Sequence, residues 1–227
     1  MFKIYRIIIL LIFLSFPLSL NAHLQHYDDL NRIEFDIYRN NKHIGKHIFS
    51  FKRSDGQLAV ESEINFEIKK FGIVLYKYHV QGTEIYQNGE LIKFNSKTNQ
   101  NGKLKYVNMK LENGEYIIDG SSYKGNAPED YLLGTWWNHS IIKAEAQISA
   151  VSGRIIKQKV TSLGKEIIKL GDKSYDVLHF NFSSIDKKLT KGKKLNTDVW
   201  YDEKTLNWVK ASFKKKGNWE YKLVSID

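Results

Sequence analysis

Apolar and polar residues alternate along Leu58-Ala59-Val60-Glu61-Ser62-Glu63-Ile64-Asn65-Phe66-Glu67-Ile68, the even positions mostly apolar and the odd ones mostly charged or polar. A period of two puts successive side chains on opposite faces of an extended chain, so this segment is a strand with one buried and one wet face. The alternation returns at Ile33, with Ile33, Phe35 and Ile37 inward, near Val74 with Tyr76, Tyr78 and Val80, and near Leu104, Tyr175 and Leu206. Turn pairs stand between these runs: Asn40-Asn41, Asp55-Gly56, Asn88-Gly89, Asn101-Gly102, Asn113-Gly114, Gly171-Asp172 and Gly217-Asn218. Asn-Gly and Asp-Gly accept positive φ at both centres of a type I′ turn, whose twist matches the strands it joins. The pattern predicts an all-β chain, an antiparallel meander forming one strongly curved sheet or an incomplete barrel.

The stretch "GNAPEDYLLGTWWNHSIIK" breaks this pattern. Asn126 can cap, Pro128 and Glu129 suit a first turn, and Leu132, Leu133, Trp136 and Trp137 recur at near-helical spacing. A short helix or turn is expected here, plugging one end or edge of the sheet. It separates a half ending near Gly120 from a half starting near Ile141, and with no low-complexity linker between them one continuous sheet is preferred. The run from Asp186 to Lys194 reads as a solvated basic loop, or functionally as an anion-facing arm.

Lys3 and Arg6 precede an apolar run from Ile7 to Leu20 and a small residue, Ala22. This is the layout of a secretory signal peptide, residues 1–22, with cleavage after Ala22. The run is shorter than the roughly 20 residues a bilayer span needs, and Pro17 interrupts its end. Residues 23–227 are then expected as a single antiparallel β domain in the periplasm, with no transmembrane anchor after processing. The chain has no cysteine, which excludes disulfides, thiolate metal sites, cysteine nucleophiles and a lipidated cysteine. Its formal charge of +10 becomes +8 once Lys3 and Arg6 leave with the leader. Such a surface suits anionic lipid headgroups, acidic glycans or acidic proteins. No nucleic-acid recognition motif is present.

Several segments carry a family resemblance: "IYRNNKHIGKH", "YKYHVQGTEIYQNGEL", "SKTNQNGK", "TWWN" and "DVWYDEKTLNWVKASFKKKG". Together, from about Ile33 to Leu223, they resemble a family of small exported bacterial β-proteins classified only as a domain of unknown function. The resemblance implies an antiparallel β architecture and export, and no reaction, substrate or catalytic residue. In architecture such curved sheets are distantly similar to half-barrel lipoprotein carriers, a likeness of fold that says little about function.

The chain offers few residues for chemistry. His43 and His47, four apart on a strand, share a face but lie about 13 Å apart along it, so they and His79 are expected at the surface or an interface. No metal site and no cofactor are expected, and no nucleophile elbow is present. Glu61 and Glu63 continue a polar strand face. Glu84, between Gly82 and Tyr86, is the acid to watch, and if buried it needs a partner such as Arg or Lys. In "NWVKASF", alternation puts Trp208 with Lys210 and Ser212, opposite Val209, Ala211 and Phe213, a face suited to a sugar or amphiphile. Trp136, Trp137 and Trp200 read as core anchors. The expected ligand-binding set is Tyr76, Tyr78, Glu84, Trp136, Trp137 and Trp208, lining an apolar groove that binds a lipid or lipid-linked envelope group without catalysis. The alternatives are a glycan-active enzyme using Glu84 and a structural component that binds a protein through a sheet edge.

Overall fold

The structure, a computed structural model, describes residues 27–190 and 192–227, so the expected leader lies outside the described residues. Strands β1 (Arg32–Arg39), β2 (Lys42–Ser54), β3 (Gln57–Lys70), β4 (Ile73–Gln87), β5 (Glu90–Gln100), β6 (Lys103–Glu112) and β7 (Glu115–Gly120) pair in succession as an antiparallel meander. β8 (Lys124–Pro128), β9 (Leu132–Leu133) and β10 (Ala146–Ile148) cross the middle of the chain. The meander resumes with β11 (Ile155–Leu170), β12 (Lys173–Ser184), β13 (Asn196–Asp202), β14 (Trp208–Lys214) and β15 (Asn218–Ile226). All lie in one 15-stranded sheet in which β1 pairs with β15, so the two halves join through the first and last strands. The β9–β10 pair is parallel and the other pairs are antiparallel.

The hairpins form where turn chemistry allows. Asn40-Asn41, Asp55-Gly56, Asn88-Gly89, Asn101-Gly102 and Asn113-Gly114 each carry two positive φ angles, and so does Phe71-Gly72, which the turn signals do not mark.

The sheet curls until its far regions touch, yet no strand ladder closes it. Ser96 on β5 donates to the carbonyl of Ala150, and the Ser122 N–H donates to the carbonyl of Ser152. Both acceptors lie in the turn between β10 and β11. The free edges are blunt: β8 carries Lys124 and Pro128, and β9 has two residues. The part of β11 beyond its pairing with β10 is bulged at Leu163 and bears Lys159, Lys165 and Lys169. Charge, proline and bulges all discourage strand addition, which weighs against docking through an edge.

No α-helix forms in the middle segment. Asn126 and Pro128 belong to β8, Leu132 and Leu133 to β9, and the only helical turn there is a 3₁₀ turn at His139–Lys143 capped by Asn138. Gly125 at φ 146° and Trp136 at φ 62° cannot continue a helix, and the intervening backbone is held by β7 and β10 instead. Without forming a helix, this segment delivers Trp137 into the interior.

Candidate functional site

Each hairpin reverses the chain, so successive turns alternate between the two ends of the curled sheet. The turns after β2, β4, β6, β11 and β13 lie at one end, which the buried side chains around Trp137 shut beneath a surface cleft of about 580 Å³ lined by Arg53, Asp55, Leu58 and Tyr86. Those after β1, β3, β5, β12 and β14 lie at the other, which is open and basic.

At the shut end the Trp137 ring is fully buried, with the rings of Tyr27, Phe51 and Tyr86 packed edge-on at 5.2 to 5.7 Å. Its Nε1 donates to Glu84 Oε1 at 3.0 Å, and the Tyr86 hydroxyl donates to Glu84 Oε2 at 2.6 Å. Burial raises the Glu84 pKa to about 7, while hydrogen bonds from Tyr86, Trp137 and Thr135 pull it back toward the ordinary range. The cationic partner expected for a buried carboxyl group does not exist: neutral donors hold it. They suffice because a carboxyl group that is protonated for much of the pH range carries little charge to compensate. Glu84 itself is 1% exposed, separated by these rings from the surface cleft that Tyr86 helps line.

The middle layer holds Trp208, and here simple alternation misplaces the ring. On β13 the partner register shifts between Trp200 and Tyr201, opposite Lys210 and Trp208, so Val209 is an extra residue and Trp208 turns inward. It is fully buried, 4.0 Å from Phe35 and 5.7 Å from Trp136 and Tyr221 between ring centroids. His47 lies in the same cluster, and burial alone lowers its pKa to about 3. The indole N–H groups of Trp136 and Trp208 and Nδ1 of His47 are buried without a protein partner. Trp200 is buried as expected, but on the outer face, stacked on His179 at 4.1 Å beneath the Lys210 ammonium.

Tyr76 and Tyr78 belong to the open end. Tyr78 stacks on Phe66 with centroids 4.8 Å apart, and Tyr76 follows at 6.1 Å. Trp219 meets Phe66 edge-on at 5.3 Å and lies parallel to Phe213 at 5.8 Å. Gly45 on β2 admits this arrangement, since a Cβ there would stand 2.5 Å from Phe66 Cβ. A surface cleft of about 480 Å³ adjoins Phe66, bordered by Lys42, Gly45 and Lys69. Around the mouth stand Lys69 and Lys70, Lys103 and Lys105, Lys214 to Lys216, and Lys187, Lys188, Lys193 and Lys194 of the β12–β13 connection. Lys105 has its pKa held down by partial burial and by Lys215 and Lys103, so the β5–β6 and β14–β15 turns face each other across the opening.

The expected site residues therefore fall into three layers: Glu84 with Trp137, Trp136 with Trp208, and Tyr76 with Tyr78. Glu84, Trp137 and Trp208 are buried, whereas Tyr76, Tyr78 and Trp136 are half-buried. Phe66 and Trp219 complete the layer of Tyr76 and Tyr78 and were not singled out from the sequence, although alternation already turns Phe66 inward. The histidines diverge, His43 pairing with Asp36 and His79 with Glu63, while His47 points inward. Glu61 pairs with Lys52 in solvent.

A family profile described as a domain of unknown function, DUF6134, matches residues 35–224. The chain belongs to the DUF6134 family. The DUF6134 match runs from Phe35 in β1 to Val224 in β15 and so spans the sheet and all three layers. The "beta-barrel-like protein" of DUF1849 from Brucella abortus superposes with a TM-score of 0.61 at 13% identity, covering 87% of this chain and 98% of that one. At that identity the likeness concerns the fold alone. A DUF1329 family protein from Desulfovibrio piger aligns over 91% of this chain and 89% of that one at 9% identity, but a TM-score of 0.21 carries no argument. No curated protein matches the chain.

Proposed function

We propose that this DUF6134 chain is an exported, non-catalytic protein that binds an apolar or amphipathic envelope molecule at the open end of its sheet. The observation that carries the reading is the aromatic layer of Phe66, Tyr76, Tyr78, Phe213 and Trp219 beside a mouth ringed with lysines. Rings of this kind bind acyl chains through their faces, and the lysines attract an anionic head. The lower interior is filled by the protein's own side chains, so the ligand occupies the mouth and not the full length of the curl. Periplasmic location is part of the proposal and rests on the leader's residues.

The test incubates residues 23–227, which keep the whole sheet and its core, with monomeric lysophosphatidylglycerol, followed by native mass spectrometry. A one-to-one complex is expected, lost in the Tyr78→Ala, Trp219→Ala double variant and retained in Glu84→Gln. A bare mass at every lipid concentration, or a complex indifferent to the double variant, overturns the proposal.

A further inference from the structure

The β3–β4 hairpin outruns its neighbours. Pairing of β2 with β3 ends at Gly45 and Phe66, and pairing of β4 with β5 ends at Tyr78 and Gln100. Residues 67–77 therefore continue as a two-stranded ribbon, joined to the rest where Lys77 meets Asn101 and where Ile68 and Tyr76 pack on the core. Four residues on one arm and five on the other, Leu75 being a bulge, carry the tip roughly 13 Å past the adjoining ladders at about 3.3 Å per paired residue, and Lys42–Ile44 of β2 accompany only its base. Beyond Ile68 and Tyr76, which still pack on the core, the ribbon has no core beneath it and gains little stability of its own, so the sequence of its tip is free to serve something else.

That sequence is apolar where a solvated tip should be polar. Phe71 is 91% exposed, Ile73 66% and Leu75 55%, and Leu104 at the start of neighbouring β6 is 80% exposed. Phe71 occupies a left-handed position, φ 52°, the slot that Asn or Asp fills in the turns after β1, β2, β4, β5 and β6. A bulky aromatic is an unfavourable choice for that conformation, and it gains no packing here: its ring meets only the Lys70 ammonium, 5.4 Å from its centroid. The ribbon's single acid, Glu67, is paired with Lys69 at 3.0 Å and Lys77 at 3.1 Å. The β11–β12 hairpin also projects, from the shut end, but its tip is Gly171-Asp172 with Lys169 and Lys173 beside it.

We propose that the β3–β4 ribbon is a membrane-docking finger, with Phe71, Ile73 and Leu75 entering the headgroup region of an anionic phospholipid bilayer and the lysines of the open end lying against its phosphates. Aromatic and aliphatic groups backed by lysines are the composition that settles at such an interface, the apolar part in the acyl boundary and the ammonium groups among the headgroups. The lysines converge on one side because five turns share the finger's end. Docking in this orientation aims the aromatic mouth at the membrane, but it does not depend on a ligand entering that mouth.

The experiment is co-sedimentation of residues 23–227 with vesicles of phosphatidylglycerol and phosphatidylcholine, against vesicles of phosphatidylcholine alone, at low and high salt. Salt-sensitive binding to the anionic vesicles is expected, weakened at least about tenfold by Phe71→Asn and by the Lys69→Glu, Lys70→Glu pair. Phe71→Asn puts the residue type of the other turns in a solvent-exposed slot, so an unchanged or higher melting temperature certifies that its fold is intact. Failure of the wild type to bind, or equal binding by wild type and both variants, overturns the proposal. So does a Phe71-dependent dimer in sedimentation velocity, which would make a second copy the occupant. The lysophosphatidylglycerol result is independent: Phe71→Asn leaves that complex in place.

Discussion

Glu84 and Trp137 depend on each other at the scale of single groups. The indole N–H is one of the donors, with Tyr86 and Thr135, that let a carboxyl group reside among Tyr27, Phe51 and Tyr86. Trp137→Phe keeps most of the ring's packing but strips that donor, and it should cost about 1–3 kcal/mol, the usual loss when a buried polar group is left short of a partner. Trp137→Ala should cost roughly 3–5 kcal/mol because it also opens a cavity. Urea unfolding of the two variants separates the terms: a Trp137→Phe variant as stable as the wild type would mean that the hydrogen bond contributes nothing. Glu84 drew notice in the sequence through its aromatic neighbours, whereas its neutral partner, 53 residues further on, could not be read without the tertiary structure. Trp208 was misread for a related reason, since one extra residue at Val209 reverses its face and no local signal marks a bulge.

Among the elements, β2 and β3 are matched through a position that tolerates no side chain. A Cβ on Gly45 would lie 2.0 Å from the Asn65 carbonyl oxygen and 2.5 Å from Phe66 Cα, and both are backbone atoms that cannot swing aside. Gly45→Ala should therefore destabilise the protein by about 2–3 kcal/mol, near the upper range for overpacking, and should loosen the Phe66 layer. Denaturation gives the first effect, and faster amide exchange at Phe66 and Tyr78 the second. An unchanged midpoint would show that β2 can shift freely and that the glycine is incidental. The strands around this position were legible, because alternation and Asn-Gly turns are local properties. Phe71-Gly72 escaped notice since phenylalanine is not a turn residue, and the middle segment was misjudged because near-helical spacing there arises from two short strands and a left-handed tryptophan.

Two buried groups of opposite type set the pH response of the whole molecule. The Glu84 pKa rises from 4.5 in the unfolded chain to about 7, so between those values the unfolded state holds fewer protons and stability falls as pH increases, by roughly 3 kcal/mol in total. The His47 pKa falls from 6.5 to about 3, so between those values the unfolded state holds more protons and stability falls as pH decreases. From pH 4.5 to 6.5 the two slopes are equal and opposite, which predicts a plateau in wild-type stability. Above it the decline due to Glu84 continues to about pH 7, and below it the decline due to His47 is no longer opposed by Glu84 and is joined by carboxylates such as Glu34 and Glu67 that lysines hold below their ordinary range. Glu84→Gln removes one slope, so its stability should climb steadily across the former plateau. His47→Leu removes the other, so its stability should fall across the same interval. Urea midpoints measured in a pH series decide the matter: a Glu84→Gln curve parallel to the wild type would mean that Glu84 ionises in the folded protein as readily as in the unfolded one, and that its neutral donors suffice to carry a full charge in the core.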